Sequence, residues 1–538
     1  MVALAAEWDF IVIGAGSSGA VIANRLSADP NRRVLLLEAG RSHHHVFVKV
    51  PALMMFAFPR PDMNWLYLTR PDTSRDGLVD LWPAGRMLGG GSSLNGMMFV
   101  RGHAYDYDLW AQMGNSGWSH AEVLPYFRRL ESSDTGANAQ RGGDGPLAVQ
   151  TPRSPHALVQ PFLDACRERG IGVSADLNGD VREGAGICQA SQLRGARHGT
   201  AHAYLDPIEG RGNLTVRTGA LVERLVLHGD RVRGVLCRTT RGSEMLTAVR
   251  GVVLAAGAIA SPALLMRSGI GEPGELGRHG IDIRHALPGV GANLQEHPGT
   301  TLHADITVPT LTSDQGPLRS PLHGLNYLFT RRGPLATPIG HAQAFVHTRP
   351  GLPAPDIQII YTPSSYEIEN GRARRKKTPQ VAFAVGLCRP RARGRIRLSS
   401  ADPTAPPDID HALLGDSDDL HCLTRGLEIA RDIVDTRALG RYTERVVSPD
   451  PRLEGDALRD WVRGNTFPMY HPCGTCRMGA DDTAVVDARL RLRGLQNLWV
   501  ADASIMPTIP AGNINATCIM IGEKAADMIH EDSQDAIR

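Results

Sequence analysis

The first block of hydrophobic positions, Phe10-Ile11-Val12-Ile13, runs straight into three glycines, Gly14, Gly16 and Gly19. Beyond them the apolar period changes. Val21, Ile22 and Leu26 recur at the three-to-four spacing of a helix. A second apolar block, Val34-Leu35-Leu36-Leu37, follows and ends in Glu38. Residues 9–38 are therefore predicted to form a strand, a tight turn, a helix and a second strand closed by an acid. The glycines permit the turn and let backbone N–H groups approach a pyrophosphate at a helix N-terminus, where the dipole favours anions. Glu38, about twenty residues on, is placed to accept hydrogen bonds from a ribose. The combination predicts dinucleotide binding, with NAD and FAD equally served. A glycine turn that binds nothing is the plain alternative.

The pattern continues with less regular stretches. His43-His44-His45 follows the second strand. Three adjacent histidines point in different directions, so a solvated loop is expected there. Val46–Phe58 is the longest apolar stretch but is broken by Lys49 and Pro51. It reads as a buried loop or lid, with a shallow membrane contact as the alternative. Trp82–Met97 holds five glycines among apolar anchors, which suits close backbone approach to a ligand. Val123, Leu124, Phe127 and Leu130 mark a helix, and the polar, glycine-rich Ser132–Gly145 marks a connection between domains. Leu214–Leu227 alternates as strands do, and Val252–Gly257 reads as a buried strand meeting a small-residue turn. Ser261-Pro262 looks like a helix start, a cap followed by proline in the first turn.

From Thr301 to Arg463 extended runs such as Asp356–Tyr361 and Val381–Leu387 alternate with prolines, which predicts an antiparallel sheet. The basic cluster Arg372–Lys377, next to Gly371, and the acids Glu367 and Glu369 are expected in solvated loops. Leu498-Trp499-Val500 is a strand ending near Asp502. Gly512-Asn513 opens a last helix with Ile514, Cys518, Ile521, Ala525 and Ile529 on one face.

Composition narrows the class. A chain of 538 residues calls for two or more domains. A net charge of +2 gives no reason to expect nucleic acid or an anionic membrane as partner. Eight cysteines over this length make no disulfide framework. The first strand begins too early to leave room for a signal peptide, and no apolar run nears the roughly 20 residues that span a bilayer. A cytoplasmic protein is expected, with peripheral membrane contact as the alternative. His471-x-Cys473-x-x-Cys476 invites a metal reading, but the other cysteines supply no second ligand pair. No metal is expected, and the thiols read as structural.

Several of these stretches together resemble the glucose–methanol–choline (GMC) family of FAD-dependent oxidoreductases. Two signatures appear whole, GRMLGGGSSLNGMMFVRGHAYDYD (Gly85–Asp108) and GAIASPALLMRSGIG (Gly257–Gly271). HPCGTCRMG (His471–Gly479) and VADASIMPTIPAGNINATCIMIGEKAADMI (Val500–Ile529) match the family's C-terminal part. The resemblance runs from residue 9 to residue 529 with the motifs in family order. Its HPCGTC and NIN wording is nearest the choline dehydrogenase and related alcohol and sorbose dehydrogenase branch.

The resemblance implies an α/β fold, α+β overall. A Rossmann-like FAD-binding domain would be discontinuous over 1–157, 196–302 and 463–538. A substrate-binding domain built on an antiparallel sheet would take 158–195 and 303–462. Gly14, Gly16, Ser18, Gly19 and Glu38 would hold the ADP half of FAD. Arg86, Gly90, Asn95, Gly96 and Met97 would lie along the pyrophosphate and isoalloxazine, and Val222 would meet the adenine. Ala256, Asp502, Ala503, Asn513 and Ile514 would line the ribitol and pyrimidine edge. A histidine that carries FAD covalently in some family members is replaced here by Leu94, which implies non-covalent FAD.

Oxidising an alcohol removes a hydroxyl proton and a carbon-bound hydride. The flavin takes the hydride at N5, and the protein supplies a base and a partner for the oxygen. By resemblance these are His471 as base and Asn515 as the oxygen-orienting donor. The partners implied are a small-molecule alcohol and an electron acceptor: a quinone, an electron carrier or O2. The leading expectation is an alcohol dehydrogenase. An oxidase using O2 shares its half-reaction, and a redox-silent lyase of the same fold is the more distant rival. The entrance, expected from Val46–Phe58 and Gly333–Phe345, favours apolar or bulky alcohols. With 5% aromatic residues, no cage for a quaternary ammonium is evident.

Overall fold

A computed structural model describes residues 7–240, 242–311, 313, 316, 319–364, 366–369, 372–376 and 378–535. The chain begins with strand β1 (Trp8–Ile13), helix α1 (Gly19–Leu26) and strand β2 (Val34–Leu37). Phe10–Val12 and Val34–Leu36 have no exposed surface. Strands this apolar need cover on both faces, and burial of each large side chain stabilises the layer by about 1.5–3 kcal/mol. Strand β3 (Leu214–Arg217) pairs in parallel with β2, and β2 with β1. Strands β4 (Leu221–His228), β5 (Arg231–Thr239) and β6 (Gly242–Leu254) then form an antiparallel meander. The last four residues of β6 return in parallel beside β1, Gly251 opposite Phe10 and Leu254 opposite Ile13. Leu214–Leu227 is thus two strands in different pairings and not one. Gly219, at φ +66°, turns the chain between them.

Helix α2 (Gly257–Arg267) follows β6 and starts five residues earlier than the Ser261-Pro262 pattern predicts. Two contacts explain why. Ser261 caps the helix from inside its first turns: its hydroxyl accepts from Ala256 N–H at 3.1 Å and donates to Asp502 at 2.6 Å. Pro262 lacks the N–H that would reach the Ala258 carbonyl four residues back. The Thr475 hydroxyl donates to that carbonyl instead, at 2.6 Å.

The second sheet is antiparallel. Its strands are β7 (Pro298–Ile306), β8 (Ala342–Val346), β9 (Ile357–Thr362), β10 (Gln380–Leu387) and, after helix α3 (Ser417–Val434), β11 (Thr443–Ser448). The order is β11-β7-β10-β9-β8, closed by Gly184–Ile187 at the edge beside β8. Its core joins α3 and the Val159–Glu168 helix through Phe162, Tyr361, Phe383, Leu423 and Leu427. A separate hairpin pairs Tyr366–Glu369 with Arg372–Arg375, so the basic cluster begins on a strand and not in a loop. The Glu367 and Glu369 side chains, Gly371 and Lys377 lie outside the described residues.

The chain then returns to the first sheet. Strand β12 (Leu498–Val500) pairs in parallel with β6, and helix α4 (Asn515–Asp535) follows. The helix starts two residues after Gly512-Asn513. It packs on α1, where Ser18 donates to the Cys518 carbonyl at 2.7 Å. Both sheets meet around residues 295–299 and 467–473. There Gln295 bridges Cys473, and Pro298–Gly299 pairs with Phe467–Pro468.

Val46–Phe58 folds as three short helical turns over Met87 and Leu94. Val46 and Phe56 are more than half exposed, so the segment is a half-covered flap and not a buried loop. The histidine run also departs from expectation. His43 is buried and His45 caps the Val46–Lys49 turn, accepting from Phe47 N–H, so only His44 is solvated. Among the described residues no helix is long and apolar enough to cross a membrane.

Candidate active site

At the end of β1 the three glycines play different parts. A Cβ on Gly14 would strike the Ala255 carbonyl oxygen at 2.5 Å, and one on Gly19 the Gly14 oxygen at 1.9 Å. These two bring strand, turn and helix together. A Cβ on Gly16 would meet nothing within 4 Å. Gly16 therefore borders open space at the start of α1, and the Ser18 hydroxyl, committed to Cys518, does not cap that helix. Free helix amides beside an open cradle suit a pyrophosphate. Gly90 covers the turn from the other side, its Cβ position 2.8 Å from Gly16 Cα.

Glu38 closes β2 and accepts from Ala15 N–H at 3.0 Å and Gly40 N–H at 2.8 Å. Burial pushes its pKa up to about 7, against the pull of those two N–H groups. The acid is thus held in place by backbone beside the cradle. Val222 is the second residue of β4 and is buried.

The glycine-rich loop is fastened by a residue the motif did not reveal. Arg197 is buried and donates to four oxygens: Val48 O (3.0 Å), Ser92 O (3.0 Å), Asn95 O (2.6 Å) and Asn95 Oδ1 (2.8 Å). Burial lowers its pKa to about 9. These bonds set the bend at Asn95-Gly96-Met97, where Met97 takes a left-handed φ of +65°. Arg86 stacks on Trp65 at 4.5 Å. Leu94 packs into the apolar cluster under the flap with Val48, Met63 and Met87.

Asp502 sits at the N-terminus of α2. Its carboxylate accepts from Gly257 N–H (2.8 Å), Ser261 Oγ (2.6 Å) and Ser504 N–H (2.8 Å). The Asp502 oxygens thus serve the fold, joining the start of α2 to the Ala503–Ile505 turn. Ala256 precedes that helix, Ala503 accepts from Gly474 N–H at 3.1 Å, and Ile514 is buried where α4 begins.

His471 lies where the two sheets meet. Tyr470, directly before it, holds φ +66°, an uncommon state for an aromatic residue and one that costs on the order of 1–3 kcal/mol. The carboxylate of Glu296 anchors the backbone on both sides, accepting from His471 N–H at 2.7 and 2.8 Å and from His297 N–H at 2.8 Å. Burial pushes the Glu296 pKa well above the usual carboxylate range.

The imidazoles form a directed chain. His297 Nε2 lies 3.1 Å from the Cys388 carbonyl, which can only accept, so Nε2 carries the hydrogen. Burial, then the neighbouring His471, drive the His297 pKa well down and keep it neutral. Its Nδ1 is then an acceptor and takes the hydrogen of His471 Nδ1 at 3.0 Å. His471 Nε2 is left unprotonated, 3.1 Å from Asn513 Nδ2. Burial lowers the His471 pKa to about 4, so this lone pair is available at neutral pH. The Asn513 amide is oriented in turn. Its Oδ1 faces Gln358 Nε2 at 3.3 Å, and Gln358 also donates to Gln343 Oε1 at 2.8 Å.

Of the two asparagines, the structure brings the one outside the expected pair to the imidazole. Asn513, and not Asn515, meets His471. Asn515 Oδ1 accepts from Ser17 Oγ at 2.6 Å, at the glycine turn. Asn513 lies in the loop before the helix and Asn515 is its first residue, and the two side chains look in different directions. Glu296, His297, Gln343, Gln358 and Arg197 escaped the sequence reading. One signal for His297 was present: His297-Pro298 and His471-Pro472 are both His–Pro pairs, and proline holds the residue before it extended. Cys473 and Cys476 are buried, and burial raises both thiol pKa values well above the ordinary value.

An open cradle beside α1, the buried Glu38 next to it and a buried imidazole facing an amide group are compatible with a nucleotide cofactor and with proton transfer. Family models described as GMC oxidoreductase match residues 8–299 and 390–522, and the chain belongs to this family. It is 41% identical to the mitochondrial choline dehydrogenase of Mus musculus over 97% of this chain and 89% of that one. It is 37% identical to an oxygen-dependent choline dehydrogenase of Photobacterium profundum, over 97% and 93%. Among solved structures, pyridoxine 4-oxidase from Mesorbium loti superposes with a TM-score of 0.89 at 31% identity, covering 98% of this chain and 99% of that one. The protein is an enzyme that acts on CH–OH donors with FAD as cofactor. It therefore takes a small-molecule substrate and passes electrons to an acceptor.

Proposed function

We propose that this enzyme oxidises an uncharged alcohol to its carbonyl, with His471 Nε2 accepting the hydroxyl proton and Asn513 Nδ2 donating to the same oxygen. The observation that carries the reading is the 3.1 Å approach of these two atoms, with the His471 tautomer fixed from behind by His297. A hydroxyl between them would donate to the imidazole and accept from the amide. When bound, FAD supplies the two-electron acceptor for the carbon-bound hydrogen. Gly14, Gly16, Gly19 and Glu38 would hold its ADP half, and the loop Arg86–Met97, fastened by Arg197, would lie along the rest. Leu94, sealed in an apolar cluster, offers no group for a covalent bond, which supports non-covalent FAD.

The similarity to choline dehydrogenases makes choline a substrate to test. The surroundings support a neutral alcohol instead. The carboxylate next to His471, Glu296, is committed to backbone N–H groups, and the residues crowding Gly512 are Val100 and Phe345.

The test is anaerobic mixing of the flavin-loaded protein with primary alcohols, aryl alcohols, polyols and choline, followed through the visible band of oxidised flavin. Bleaching by one of the uncharged alcohols is expected, and His471→Ala should keep its flavin but lose bleaching. Because the base is active unprotonated and its pKa is lowered to about 4, the rate should stay level down to about pH 5 and fall below it. Bleaching by choline alone would remove the neutral-alcohol reading. Undiminished reduction in His471→Ala would remove His471 as base. Admitting air or a quinone analogue to the reduced protein then distinguishes oxidase from dehydrogenase.

A further inference from the structure

We propose that His43, His44 and Asp206 hold a divalent transition-metal ion of the zinc class. His43 and His44 leave the loop after β2, and Asp206 ends the Ala201–Leu205 helical turn. His43 Nε2 lies 3.1 Å from Asp206 Oδ1, and His44 Nε2 lies 3.7 Å from the same oxygen. The three ligating atoms fall within 4.8 Å of one another. Donors at 2.0–2.1 Å from a tetrahedral ion stand about 3.4 Å apart, and the two measured separations bracket that value.

An ordinary ion pair between His43 and Asp206 explains less. It leaves no reason for His44, whose side chain is 62% exposed, to direct Nε2 to the same carboxylate oxygen. A third histidine packs against the site. The His202 ring stands perpendicular to His43 with centroids 4.4 Å apart. Nδ1 of His43 and Nδ1 of His202 are both buried without a hydrogen-bond partner. The ligand atoms that converge are those of His43, His44 and Asp206, and two imidazoles with one carboxylate, the fourth position left to water, are a donor set zinc accepts. The exposed edge of His44 gives the ion a way in.

The position indicates a structural role. Asp206 follows Tyr204, whose carbonyl accepts from Asn24 on α1 at 2.6 Å. An ion here would tie the loop after Glu38 to the segment packed on α1, stiffening the ADP end from outside and leaving the His471 chemistry untouched.

The flavin-loaded enzyme, treated with chelator and desalted, is titrated with Zn2+ by calorimetry. About one equivalent should bind and raise the unfolding temperature. His44→Gln, an exposed change that leaves the core intact, should weaken binding about tenfold or more. Asp206→Asn should abolish it, and flavin content should not change in either variant. No saturable binding by the wild type overturns the proposal. So does binding of equal strength in His44→Gln and wild type, since the ion would then sit elsewhere.

Discussion

Exchanging Asn513 for alanine removes the amide hydrogen that stands 3.1 Å from His471 Nε2 and leaves the imidazole, its tautomer and its anchor in Glu296 untouched. If that amide holds the substrate oxygen, the loss is that of one preorganised donor in a buried site, about 2.7–4 kcal/mol or 10²–10³ in rate. The fold should barely notice. Gln358 loses an acceptor at 3.3 Å but keeps Gln343 at 2.8 Å, so the stability cost is that of one modest hydrogen bond, about 0.5–1.5 kcal/mol. Asn515→Ala is the matched control two residues on. It unpairs the Ser17 hydroxyl at the glycine turn, at a similar cost of about 1 kcal/mol, while leaving the reacting atoms alone. Both variants are mixed anaerobically with the best alcohol in a stopped-flow instrument, and the limiting rate of flavin bleaching is compared with a thermal melt. The expectation is a drop of about two to three decades for Asn513→Ala and less than about tenfold for Asn515→Ala. The reverse order, or an equal loss in both, would show that the amide facing His471 is not what holds the oxygen.

Two further outcomes follow from buried charge. Arg197→Met leaves the Val48, Ser92 and Asn95 oxygens without their donor inside the glycine-rich loop, and each buried acceptor left unpaired should cost about 1–3 kcal/mol and weaken flavin retention; unchanged flavin affinity would mean the loop holds its shape unaided. His411 lies between Asp72 at 3.3 Å and Asp80 at 3.0 Å. Burial alone would lower its pKa, but the hydrogen bonds and charges of the two aspartates outweigh burial and leave it raised. A raised histidine contributes stability that is complete below its unfolded value of about 6.5 and is lost as pH rises through the folded value. The unfolding temperature should therefore decline above about pH 6.5, and His411→Asn should flatten that decline; an identical slope in the variant would remove His411 as its source.

Local physics made the first strand–turn–helix–strand unit legible and hid the surroundings of His471. Gly14, Gly16, Gly19 and Glu38 lie on one strand–turn–helix–strand unit, so short-range spacing encodes their geometry, and the structure only adds that Gly16 faces open space while the other two glycines pack. The antiparallel sheet of the middle region was legible for the same reason. Arg197 and Asn95 are 102 residues apart, and His297 and His471 are 174 apart. Contacts across such separations leave no period in the sequence, only the faint echo of two His–Pro pairs. The asparagines are a case of another kind. In Asn513-Ile514-Asn515, which of the two faces His471 depends on where the helix begins, and helix starts are among the least certain features of a sequence. The helix opens at Asn515, so Asn513 is still in the loop that passes His471, while Asn515 has already turned toward Ser17. The same sensitivity holds at α2, where Thr475 replaces the hydrogen bond that Pro262 cannot make and so lets the helix begin early enough to place Gly257 N–H on Asp502. In both cases a tertiary partner more than 200 residues away in sequence meets the helix start, and where the helix starts decides which side chain reaches His471 and which N–H reaches Asp502.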